Sequence, residues 1–136
     1  MLLGVLVLPV SASTAKPACP KATFLFFTEL QECAAFFSLA LEEANLSKGK
    51  EDVAKRLSQL LLDTIDMSAI PGDQLNISRA DQKAGIERAA ERLIEAVEAG
   101  GDAALDGYEN CEFLHNTVWK PRLRELSAQH CPAEGN

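Results

Sequence analysis

Apolar residues recur at spacings of three and four across residues 23–46, where Phe26, Leu30, Cys33, Phe37 and Leu41 form one stripe. That period is the signature of an amphipathic helix. Phe24, Leu25, Phe36 and Leu39 add a second apolar face, and five of the six phenylalanines fall in this segment. A helix that is apolar on most sides belongs at the centre of a bundle. Ser47-Lys48-Gly49-Lys50 reads as a turn, after which Val53, Leu57, Leu60, Leu61 and Ile65 repeat the helical pattern to about residue 67. The run at 69–73, Ala-Ile-Pro-Gly-Asp, predicts a break there, because Pro-Gly is a strong turn signal.

Ser78 then reads as an N-cap with Asp81 in the first turn, a variant of the capping box. A third helix follows over 79–99 with Ile86, Ala90, Leu93, Ile94 and Val97 on its apolar side, and Gly100-Gly101 ends it. Asp102 is placed to cap a fourth helix carrying Leu105, Tyr108, Cys111, Leu114, Val118 and Trp119. Pro121 kinks or restarts that helix, and Leu123 and Leu126 continue it toward Cys131. Strand-like alternation is absent. The pattern predicts an all-α protein, a compact bundle of four main helices whose last member is kinked at Pro121.

The first ten residues, MLLGVLVLPV, carry no polar side chain, and five small residues, Ser11 to Ala15, follow. Small-x-small triplets end at Ala12 and Ala15, so residues 1–15 are expected to be a secretory signal peptide that is removed, with 16–136 as one helical domain. The apolar run is far shorter than the roughly 20 residues a membrane-spanning helix needs. It also ends well before Cys19, which sits between Pro17 and Pro20, so no lipid or other stable membrane anchor is expected.

Export places Cys19, Cys33, Cys111 and Cys131 in an oxidising compartment, where two disulfides are expected. Four cysteines allow three pairings. Cys19 and Cys33 lie on one predicted helix and its approach, more than about 20 Å apart at 1.5 Å per residue, against about 5.5 Å between the α-carbons of a disulfide. The same argument separates Cys111 from Cys131. In an up-down bundle the first and last helices run antiparallel, which sets Cys19 opposite Cys131 and Cys33 opposite Cys111. Cys19–Cys131 and Cys33–Cys111 is therefore the expected pairing, clamping the ends of the chain together. A metal site built from Cys111, His115, His130 and Cys131 matches no known zinc spacing, and no metal or cofactor is expected.

Candidate chemistry is sparse. Glu112 and His115 make one Glu-x-x-His, but a di-iron bundle needs two such motifs with two more inward glutamates. There is no Gly-x-Ser-x-Gly, no glycine-rich phosphate loop and no second residue set that would complete a triad with either histidine. A non-enzyme is expected. Asn45-Leu46-Ser47 and Asn76-Ile77-Ser78 fit the glycosylation triplet.

Charge carries more information. Thirteen basic and 20 acidic residues give a net charge of −7, which makes nucleic acid and anionic membrane poor partners. Glu87, Glu91, Glu95 and Glu98 step by four, four and three, forming one acidic stripe on the third helix. Asp102, Asp106, Glu109 and Glu112 extend it, opposed by Arg88 and Arg92. A solvated face is the simplest account of such a stripe, and docking of a basic protein is the sharper one. Phe24, Phe36, Tyr108 and Trp119 are the aromatic candidates for a contact surface.

The leading functional expectation is a periplasmic or secreted protein that neutralises another protein. An inhibitor or immunity-type protein against a basic extracytoplasmic enzyme or toxin fits that description. The alternatives are a carrier of an apolar small molecule or lipid, held between helices beside the Phe-rich segment, and a periplasmic stress chaperone. Apolar faces left over on the first helix also leave room for a dimer.

Overall fold

The computed structural model describes residues 16–108, 111 and 120–132. The expected signal peptide and the candidates Glu109, Glu112, His115 and Trp119 lie outside these residues. Within them the architecture is a bundle of α1 (Pro20–Leu46), α2 (Glu51–Gln74), α3 (Arg79–Gly100) and α4 (Lys120–His130), with a 3-10 segment, Gly101–Tyr108, after α3. No strand occurs among the described residues.

α1 begins with Pro20 at its first turn, where the absent N–H would have no helical partner anyway. It is long and apolar enough to cross a membrane by length and composition. In the structure it is the central element: α2, α3 and α4 all pack on it, α2 most extensively. Its predicted stripe is the core, with Phe26, Leu30, Cys33 and Phe37 buried and Leu41 half-buried. Of the second face, Leu25, Phe36 and Leu39 are half-buried while Phe24 faces solvent.

Two apolar clusters share the length of α1. At one end Cys19, Ala22, Phe26 and Leu30 meet Leu126, with Leu25, Met67, Leu123 and Cys131 around them. Further along, Cys33, Phe37, Leu60 and Cys111 pack together, flanked by Phe36, Leu57, Leu61 and Tyr108. Each cluster contains a disulfide. The pairing is Cys19–Cys131 and Cys33–Cys111, as the antiparallel geometry predicted, with α-carbons 6.2 and 5.4 Å apart. Arg122 adds a polar clamp at the α4 end: its Nε donates to both oxygens of Glu29 at 3.1 and 3.0 Å and its Nη2 to Oε1 at 2.9 Å. Arg122 Nη1 donates to Glu125 at 2.8 Å, so both partners hold the guanidinium in place.

Several boundaries depart from the sequence expectation. The run at 69–73 does not break α2, which continues to Gln74 with Pro71 inside its last turns. Pro71 and Gly72 are buried there, and Gly72 lets Gln82 of α3 approach: a β-carbon at Gly72 would fall 2.6 Å from Gln82 Cδ. The reversal comes later, at Asn76, whose φ of 62° is one that asparagine tolerates better than most residues. Ile77 N–H donates to Gly72 O and Leu75 N–H to Pro71 O, both at 3.0 Å, closing the turn. Ser78 then caps α3 as predicted, its Oγ accepting from Asp81 N–H at 3.1 Å.

The expected start of the fourth helix is not α-helical: Asp102 lies in the first turn of the 3-10 segment, which begins at Gly101 with φ 72°. There Tyr108 stacks on Phe36, ring centroids 5.2 Å apart. α4 spans Lys120–His130, with Pro121 in its first turn. Val53 and Ile65, expected in the core, are 48% and 37% exposed, and Ile94 is 42% exposed.

Candidate functional site

α3 owes its position to small residues. Its buried side is Gln82, Gly85, Ala89 and Leu93, spaced by three and four, rather than the expected row through Ile86 and Ile94. Small side chains let two helix backbones approach closely. At Gly85 the room is taken by the Gln31 amide of α1, against which any β-carbon would collide. Gln31 Nε2 donates to the backbone carbonyl of Gln82 at 3.0 Å. The Gln82 side chain in turn donates to Asp73 Oδ1 at 3.0 Å and Ile77 O at 2.9 Å. This polar seam rotates α3 so that Ile86, Ala90 and Val97 are half-buried on its flank.

The rotation fixes where the acidic stripe points. At about 100° per residue, Glu87, Glu91, Glu95 and Glu98 fall on the side opposite Gln82, Gly85, Ala89 and Leu93, and all four are exposed. Among the described residues no ion pair engages any of the four. Arg88 and Arg92 are exposed on α3, and Asp102 and Asp106 carry the negative charge onto the 3-10 segment.

Each end of the stripe meets a cleft. Glu98 borders one of about 420 Å³ between α1, α3 and the 3-10 segment. Its walls are Phe36, Leu39 and Ala40 from α1, Leu93, Ile94 and Val97 from α3, and Leu105. Among the described residues the only charged ones that line it are acids: Glu43, Glu98 and Asp102, all exposed. Glu87 borders the other cleft, of about 390 Å³, where Ser38, Leu61, Ile65, Ala69 and Ile86 make the apolar wall. That second cleft carries mixed charge, Arg79 and Lys83 beside Asp66 and Glu87. The helical rise puts the two ends of the stripe roughly 16 Å apart.

Electrostatics around the site follow from contacts. Asp73 is held below the ordinary carboxylate range, first by its hydrogen bonds from Arg79 at 2.9 and 2.7 Å and then by that from Gln82. Tyr108 is pushed above the usual phenol range by burial against Phe36 and by the negative charge of Glu32, with Arg92 opposing.

The aromatic candidates divide. Phe36 lines the larger cleft, Tyr108 is half-buried against it, and Phe24 is 53% exposed at the far end of α1. His130 is exposed, and no group of three metal-ligating side chains gathers among the described residues. Asn45 and Asn76 of the glycosylation triplets are both exposed. The carrier alternative expects a cavity between helices beside the Phe-rich segment, and the larger cleft lies there; its acidic rim and the second cleft have no counterpart in the sequence expectation. One signal pointed to that rim: Ile94 sits between Glu91 and Glu98, at the edge of the apolar stripe rather than its middle. No protein-family model, curated protein or solved structure matches the chain.

Proposed function

We propose that this is an exported binding protein whose acidic α3 face docks a basic protein and neutralises it, as an inhibitor or immunity-type protein does. The observation that carries the reading is the continuous surface on α3: four exposed glutamates, unpaired among the described residues, running between two clefts with apolar walls. Exposed charge of one sign raises the encounter rate with an oppositely charged partner, while apolar recesses beside it supply anchoring points. The two disulfides suit an oxidising extracytoplasmic location, periplasmic or secreted, and they make the scaffold rigid before it meets its partner.

The test is a pull-down from extracytoplasmic extract with the oxidised protein as bait, at low and moderate salt, compared with Glu91→Lys/Glu95→Lys. The reading expects a basic protein that is retained by the native chain, weakened by salt and lost on charge reversal. Capture that is indifferent to both salt and charge reversal overturns it.

A second reading, a carrier of an apolar small molecule, is favoured by the larger cleft, whose volume lies within the usual range for ligand pockets. Displacement of a fluorescent fatty acid separates the two: saturable displacement at one site per chain supports the carrier.

A further inference from the structure

We infer that the cleft between α1 and α3 takes the apolar side chains of a basic amphipathic segment on the partner, while Glu43, Glu98 and Asp102 hold that segment's lysines or arginines. The inference rests on the protein-docking reading above and names what the partner presents.

The cleft has the two halves that such a segment requires. Its floor, including Phe36, Leu39 and Val97, is apolar, and Ile94 is left 42% exposed at its edge. An amphipathic helix laid on a groove places residues i, i+3, i+4 and i+7 against such a floor. Among the described residues its rim is acidic and contains no basic side chain, so an anionic headgroup at the mouth would face three carboxylates from three different elements. That arrangement repels a fatty acid or a phospholipid phosphate and attracts a cation. Glu98 is also the end of the α3 stripe, so a segment seated in the cleft continues onto Glu95 and Glu91 without crossing a basic patch.

The experiment is fluorescence anisotropy of a labelled Leu/Lys peptide with leucines at i, i+3, i+4 and i+7, against a scrambled peptide of the same composition. The oxidised protein should bind the patterned peptide at least about tenfold more tightly than the scrambled one. Ile94→Asp, at an exposed position that the fold tolerates, should remove that preference, and a photo-crosslinker on a leucine should label residues 36–43 and 93–105. Glu98→Lys/Asp102→Lys should weaken the patterned peptide, whereas Glu91→Lys/Glu95→Lys should weaken both peptides alike.

Equal affinity for the two peptides, or crosslinks elsewhere, overturns the cleft proposal and leaves charge-driven docking standing. Competition by dodecanoate as effective as that by the peptide also overturns it, in favour of the carrier. Failure of both peptides to bind overturns it too, and the pull-down then judges the acidic face by itself.

Discussion

α1 and α3 are both long helices of one bundle, yet they are held by different means. α1 runs through two apolar clusters, each containing a disulfide, and α4 returns to it through the Arg122–Glu29 clamp. α3 contributes to neither cluster, carries no cysteine, and touches α2 only lightly. It seats on α1 through glycine, alanine, one leucine and a seam of glutamine hydrogen bonds, with open clefts beside it. The difference separates two tasks. One side of α1 gives the chain its permanence, and the other carries the helix whose acidic face is proposed above to dock a partner.

The largest effect expected from breaking this contrast comes from the cross-links. Cys19→Ser/Cys131→Ser and Cys33→Ser/Cys111→Ser release loops of 112 and 78 residues. Each should lower stability by about 3–5 kcal/mol in denaturant titration, and the two should be similar because loop entropy grows only logarithmically. A loss below about 1 kcal/mol would show that the apolar clusters hold the chain ends without help.

Truncations sharpen the contrast next. Leu30→Ala, in the α4-facing cluster, should cost about 3–5 kcal/mol, whereas Leu93→Ala should fall near the lower bound of about 2 kcal/mol. Amide exchange read alongside should protect α1 more strongly than α3. Equal costs and equal protection would erase the distinction between the two helices.

Gln82→Leu probes the polar seam. It removes the donor to Asp73 and Ile77 at a buried position, for about 1–3 kcal/mol, and leaves the Gln31 bond to the backbone of residue 82 in place. A neutral outcome would mean that α3 is seated by Ala89 and Leu93 alone.

Tyr108 is the one tyrosine, so tyrosinate absorbance reports it without overlap. Its ionisation should occur above the ordinary phenol value of about 10. Because the folded form resists losing this proton, its contribution is complete below the unfolded value and is lost as pH rises through the folded one. Phe36→Ala should return the midpoint toward the ordinary value by reducing burial. A midpoint unaffected by that change would place the cause in Glu32.

The smallest effect is at Asp73, which is well exposed. Its lowered carboxyl favours the folded state fully above the unfolded value of about 3.9, and that contribution disappears as pH falls through the lower folded value. Asp73→Asn should slightly flatten the acid limb of a melting-temperature profile and leave neutral pH nearly unchanged, since solvent screens an exposed pair.

How far the sequence reaches is clear from particular residues. The α1 stripe through Phe26, Leu30, Cys33 and Phe37, the Ser78 cap and the Gly101 stop are written in local spacing and residue chemistry, which need no neighbours to act. The disulfide pairing was equally legible, because helical rise forbids local bridges and an antiparallel return leaves one arrangement. The acidic stripe could be read too, and a space between helices beside the Phe-rich segment was among the expectations, but the two clefts that meet the ends of the stripe could not be read. Those depend on which way α3 is turned, and Gly85 and Gln82, weak signals in a hydrophobic pattern, decide that by admitting Gln31 and Asp73. Pro71 remaining inside α2 goes with a long-range contact, Gly72 against Gln82, and the 3-10 segment from Gly101 ends with Tyr108 stacked on Phe36. Periodicity specifies that a helix has an apolar side; only the packing of one helix on another selects which edge of that side is left open to solvent.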